Sequence, residues 1–212
     1  MFWQPDRHRF VPVHVSAWCL LAMLLNGRFL SAQQPIRPVP LTPFADGADS
    51  VLMADLRYQI GTTNFVIVVP LGFVTDFAST PKALWAVLPP FGTYQLAAVV
   101  HDFLYWDQGC TREQADALLR VAMAESKVDP KKRDIIWQAV RRFGQTAWDE
   151  NARTKAAGQP RIIPVIDLDL PSLITWPEYR AQLVAKGVRP TPPPAVSPAY
   201  CIAAGAVNLV PN

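Results

Sequence analysis

The sequence predicts an α+β domain, mainly α, in which a small β-hairpin or sheet precedes a core of three antiparallel helices. Three observations lead there. Two β-rich runs, residues 51–60 and 64–69, flank Gly61-Thr62-Thr63 as a hairpin or two neighbouring strands would. Three helical segments follow, and the short connections between them favour antiparallel neighbours. Half of the 212 residues are apolar and 17% are charged, the balance of a globular chain with one ordinary core.

The elements follow in order. Pro70-Leu71-Gly72 ends the second β-run, and residues 72–81 connect it to a helix that Thr80 caps and Pro81 opens. That helix, 81–88, is short because Pro89-Pro90 stops it. Thr93 or Tyr94 opens the next, whose apolar stretch 96–106 is broken at 107–109. Thr111-Arg112-Glu113-Gln114 fits a capping box, so a helix runs from there to about Ser126. Asp129-Pro130 starts a long helix through Ile135, Val140, Phe143 and Trp148 that ends near Gly158. Beyond it lie an apolar, strand-like run at 162–170 and a short helix opened by Thr175-Trp176-Pro177-Glu178 and closed by Gly187. Trp85, Trp106, Trp137 and Trp148 are core candidates, and Arg141-Arg142 a solvated face.

Both ends differ from the centre. The 21 prolines are roughly twice the average usage of about 5%, and they concentrate at 35–43 and 190–198. Arg7, His8 and Arg9 precede an apolar run at 11–25 and a Ser31-Ala32 pair, the layout of a secretory leader cleaved near Ala32. Pro12 and His14 interrupt that run; an upstream extension, an interfacial anchor or a core helix are the alternatives. At about 15 residues it is short for a membrane-spanning helix, which needs roughly 20. The expected organisation is a leader at 1–32, a proline-rich linker at 33–50, a globular domain at 51–188 with its core at 55–158, and a polyproline-like tail at 189–212. With a leader the chain is secreted or periplasmic; without one it is cytoplasmic or virion-associated.

A net charge of +3, with Lys and Arg clustered only at 131–133 and 141–142, predicts no nucleic-acid partner. Cys19, Cys110 and Cys201 have no metal-ligand spacing. If Cys19 leaves with the leader, Cys110 and Cys201 can form one bridge in an oxidising compartment, although free, inert thiols are the commoner outcome.

The chemistry concentrates at His101. The only other histidines, His8 and His14, lie in or beside the leader. On a helix His101 and Tyr105 share a face, while Asp102 points about 100° away. Asp116 sits on the same face as Leu119 and Met123, where a carboxylate must find a donor or cation. A hydrogen bond from His101 to Asp116 would satisfy both, fix the imidazole tautomer and leave the other ring nitrogen as a general base. Asp76, in the 72–81 connection, caps a turn or joins Asp102 in an oxygen-rich site for Ca²⁺ or another divalent cation. Ser79 lacks the context of a nucleophile and reads as a helix cap with Thr80. A lone helical histidine is more often a hydrogen-bonded structural residue, so a buried His-Asp network stands beside the catalytic reading.

Gly72-Phe73-x-Thr75-Asp76-Phe77-Ala78-Ser79-x-Pro81, then residues 97–105 with His101-Asp102-Phe103-Leu104-Tyr105, then Arg112-x-x-x-Asp116, together resemble the domain of unknown function (DUF) 1353 family of phages and bacteria over about residues 55–148. That resemblance implies phage or prophage ancestry and no established activity. The order H-D-x-x-Y, then an aspartate on the next helix, is also similar to secreted phospholipase A₂. By that analogy the helix pair is phospholipase-like, His101 activates water, Asp102 binds Ca²⁺, and Asp116 with Tyr105 orients the histidine. The chain departs from it in having no cysteines flanking His101 and no glycine-rich Ca²⁺ loop. The expectation is therefore a hydrolase acting on a lipid ester or cell-wall bond. Its rival is a non-catalytic, phage-derived structural or tail-associated module.

Overall fold

The computed structural model describes residues 36–77, 94–203 and 205, all within the compact unit Gln33–Asn212. The expected leader, Ser79, the helix expected at 81–88 with Trp85, and most of the terminus beyond Ala203 lie outside the described residues.

Five short strands come first: β1 Leu41–Pro43, β2 Ser50–Leu52, β3 Leu56–Gln59, β4 Val66–Val69 and β5 Val74–Thr75. They form two antiparallel sheets, one in the order β1-β2-β5 and the other the hairpin β3-β4. The hairpin pairs Leu56 with Val69 and Gln59 with Val66 around the expected turn, where the left-handed Gly61 (φ 53°) lets Ile60 N–H reach Phe65 O at 3.0 Å. Alternation then buries Leu56, Tyr58, Ile67 and Val69 on one face.

Two expectations need correction here. The run 51–60 is not one strand: it breaks at Met53-Ala54-Asp55 into β2 and β3, which belong to different sheets, and Asp55 Oδ1 accepts the Leu71 N–H at 2.8 Å. Residues 41–43, expected in a linker, form the edge strand β1, a position that tolerates Pro43, and Phe44 beside it is buried.

The helices are α1 Gln95–Asp107, α2 Arg112–Glu125, α3 Pro130–Ala156, α4 Trp176–Ala185 and α5 Tyr200–Ala203. Their starts follow the sequence signals. Thr111 and Gln114 form the reciprocal capping box of α2, Asp129 Oδ1 accepts Lys132 N–H at the head of α3, and Thr175 with Glu178 repeats the box at α4. Gln108, left-handed at φ 57°, terminates α1. Along α3 the inward residues are Ile136, Ala139, Val140 and Gly144, so Ile135 and Phe143 face outward at 46% and 55% exposure. A main core joins α1, α2 and α3 to the hairpin. A smaller one gathers Phe44, Val51, Val74, Ile163, Ile174, Trp176, Tyr179 and Leu183.

Residues 162–170 do not make the expected strand. Ile162 forms a single antiparallel bridge with Phe73, and the chain then enters a 3₁₀ turn at Val165–Asp167, because Pro160 and Pro164 lack the N–H that a ladder needs. At the crossing Gly72 (φ 83°) leaves no room for a side chain: a Cβ there would collide with the Ile163 carbonyl.

Cys110 and Cys201 are not free thiols. They form a disulfide with a Cα–Cα distance of 5.4 Å, and Ser197 Oγ donates to Gly109 O at 2.9 Å, so the proline-rich tail folds back on the turn between α1 and α2. Among the described residues no helix is long and apolar enough to cross a membrane.

Candidate functional site

α1 and α2 place three predicted residues together. His101 and Tyr105, one turn apart on α1, both face Asp116 on the second turn of α2, and all three are at most 1% exposed. His101 Nε2 lies 3.0 Å from Asp116 Oδ1, and the Tyr105 hydroxyl donates to that same oxygen at 2.6 Å. The other oxygen, Oδ2, accepts from Arg112 Nη1 at 2.9 Å. A carboxylate surrounded in this way can only accept, so Nε2 carries the imidazole proton and Nδ1 is the nitrogen left with a lone pair.

Neighbouring side chains hold this arrangement. The His101 and Tyr105 rings lie 4.1 Å apart between centroids, and Trp148 of α3 meets Tyr105 edge-on at 5.2 Å. Gly144 of α3 passes directly over the Tyr105 hydroxyl, and a Cβ there would collide with it. Burial first, and then the Asp116 charge, raise the Tyr105 phenol far above its ordinary range, so it serves as a permanent donor.

Arg112 was not assigned a role from the sequence. Its signal was the four-residue spacing to Asp116 on one helix, which sets a guanidinium and a carboxylate side by side. Arg112 also donates to Arg141 O at 3.3 Å, tying the network to α3.

Asp102 and Asp76, the two residues expected to hold a cation, each have a partner among the described residues. Asp102, 1% exposed, accepts the Thr75 hydroxyl at 2.6 Å, and Thr75 Oγ1 in turn accepts Phe77 N–H at 3.2 Å. Asp76 turns instead to Arg161, whose Nη2 lies 3.3 Å away. Arg161 is further fixed by Val74 O at 2.8 Å and Asn151 Oδ1 at 3.0 Å. A divalent ion shared by both acids would have to compete with that guanidinium for Asp76. Among the described residues no group of three or more His, Cys, Asp or Glu side chains is placed to hold a metal.

His101 also lines a tight pocket of about 10 Å³ whose other described walls are Phe77, Tyr94, Ala98, Leu119, Ile136 and Val140.

Residues 50–140 match the family model described as Protein of unknown function (DUF1353). Over those residues the chain is similar to the DUF1353 family. No curated protein and no solved structure matches the chain, so the likeness to phospholipase A₂ has no support from them.

The DUF1353 segment contains Thr75, Asp76, His101, Asp102, Tyr105, Arg112 and Asp116, hence every hydrogen bond made to Asp116. Gly144 and Trp148, which back Tyr105, and Arg161, which holds Asp76, lie beyond the matched residues.

Proposed function

We propose that the DUF1353 segment houses a hydrolytic site in which His101 is the general base and Asp116, with Tyr105 and Arg112, orients it. The observation that carries this reading is the placement of His101 between two environments. Its Nε2 is bound to a carboxylate with three donors, and its ring lines an apolar pocket. An imidazole whose tautomer is fixed on one side accepts a proton on the other, the geometry by which histidine activates water or a hydroxyl. The apolar side chains around the ring suit the hydrocarbon side of an ester, so a lipid ester is the first substrate class and a cell-wall bond the second, and either requires the pocket to open from about 10 Å³. In this reading Asp102 with Asp76 would hold a divalent cation such as Ca²⁺ beside the carbonyl. The Cys110–Cys201 bridge supports a secreted or periplasmic setting.

One observation favours the rival, a structural or tail-associated phage module: both Asp116 oxygens are satisfied and His101 is 99% shielded, as in a network that only fixes helix packing. Assaying wild type and His101→Gln on a panel of short- and long-chain aryl esters and phospholipids, with and without Ca²⁺, separates the two. We expect turnover to fall by about 10²–10⁴ in His101→Gln, the usual share of a general base, while the melting temperature stays near that of wild type. Equal turnover in the two proteins, or loss of folding without a measurable wild-type rate on any member of the panel, favours the structural module.

A further inference from the structure

A second and larger cavity, of about 200 Å³, uses none of the residues around His101. Its walls include Trp106 from the end of α1, Arg161, Ile162 and Pro164 from the segment after α3, and Val188 and Arg189 from the segment after α4. That volume is below the range of about 300–1,000 Å³ typical of drug-sized ligands, so only a compact molecule fits. The described walls rest on fixed parts of the fold. Trp106 is 2% exposed, Ile162 is bridged to Phe73, and Pro164 has a locked backbone.

The positive charges on these walls, and that of Lys155 beside Trp106, are unequal. Arg161 is spoken for: its Nη2 faces Asp76, and Nε and Nη1 bond Val74 O and Asn151 Oδ1. Lys155, whose ammonium lies 5.0 Å over the Trp106 ring, donates to Asp107 O and has the Asp107 carboxylate nearby to offset its charge. Arg189 differs from both. Its Nη1 donates to Val184 O and Val188 O, each at 2.9 Å, so two neutral carbonyls fix the guanidinium while its charge has no carboxylate partner among the described residues. Among the described residues no acidic side chain lines the cavity.

We propose that this cavity binds a small organic monocarboxylate, with its carboxylate on Arg189 and a compact apolar body against Trp106, Ile162 and Val188. A guanidinium with donors to spare matches a carboxylate in two parallel hydrogen bonds. One uncompensated positive charge selects a monoanion over a dianion, and the apolar walls select an organic body over a bare inorganic ion. This site stands apart from the hydrolytic reading of His101 and does not depend on it.

The test titrates benzoate, its neutral isostere benzamide, and inorganic phosphate into the full chain, by calorimetry and by ligand-detected NMR with Overhauser contacts to the Trp106 ring. Benzoate is expected to saturate one site and show those contacts. Benzamide and phosphate are expected to bind at least about tenfold more weakly, the loss carried by a charge-assisted hydrogen bond. Arg189→Gln should weaken benzoate by a similar factor, and Arg189→Lys, which keeps the charge but loses the fork, should fall between. Arg189 is exposed, so neither variant should alter the melting temperature of the unliganded protein by more than a few degrees. The proposal is overturned if benzoate fails to bind, if benzamide or phosphate equals it, or if both Arg189 variants bind as wild type does.

Discussion

Asp116 shows how one residue can organise a site. Its carboxylate takes a hydrogen bond from the imidazole, the phenol and the guanidinium, and each partner occupies a direction the others leave open. Removing any donor from such a buried acceptor costs more than the bond itself is worth, because the group left behind cannot reach water. A different balance governs Asp49, before β2. Burial first, and then the neighbouring Asp76 charge, push its carboxyl up from 3.8 to about 6, with Arg161 pulling the other way. Because the folded state holds this proton more tightly than the unfolded one, Asp49 favours folding fully below about pH 4 and loses that contribution as pH rises through 6. We therefore expect Asp49→Asn to melt higher than wild type at pH 7 and with little difference at pH 4, in thermal unfolding followed by circular dichroism. A gap that is constant across that range would mean that Asp49 does not titrate in this way.

At the level of elements, the site depends on how closely α3 approaches α1. Gly144 is the point of contact, and the Tyr105 hydroxyl fills the space a side chain would need. Gly144→Ala should therefore cost about 1–3 kcal/mol by overpacking, although alanine is the better helix former on an exposed face. Chemical denaturation would detect it; an unchanged or raised stability would show that α3 yields without cost. The same scale explains what the sequence did and did not disclose. Asp116 and His101 were legible as partners because a carboxylate on an apolar helical face must be answered by a nearby donor, and a short turn joins the two helices. Arg112 was legible only as spacing, since i,i+4 pairs on a solvated face are common and carry no chemistry of their own. Asp76 and Asp102 read as possible co-ligands because sequence gives proximity without direction. In the structure Asp102 accepts the Thr75 hydroxyl and Asp76 lies beside Arg161, partners that the sequence did not disclose. The strand β1 was hidden by its prolines, and the run at 162–170 looked like a strand because its apolar composition outweighed Pro164.

For the molecule as a whole, the disulfide has the longest reach. Cys110 and Cys201 are 91 residues apart, and closing so long a loop restricts the unfolded chain, with a typical stabilisation of about 2–4 kcal/mol. Replacing both cysteines by alanine should lower the denaturant midpoint accordingly and loosen the tail from the α1–α2 turn. Equal midpoints for the double variant and wild type would mean that the bridge adds nothing. Sequence could not decide this pairing, because three cysteines allow one bridge or none and only the return of the tail brings these two together. What the bridge, the helix caps and the α3 backing share is that they fix α1 and α2, and with them the side chains of His101 and Asp116. The central claim is that His101 offers a bare Nδ1 while Nε2 holds the proton shared with Asp116, and it can be checked without knowing a substrate. Long-range ¹H–¹⁵N correlation NMR of the histidine rings at neutral pH, with His101 assigned by its absence in His101→Gln, reads both nitrogens. The expected spectrum has a protonated Nε2 and an unprotonated Nδ1; a proton on Nδ1 would contradict the general-base role.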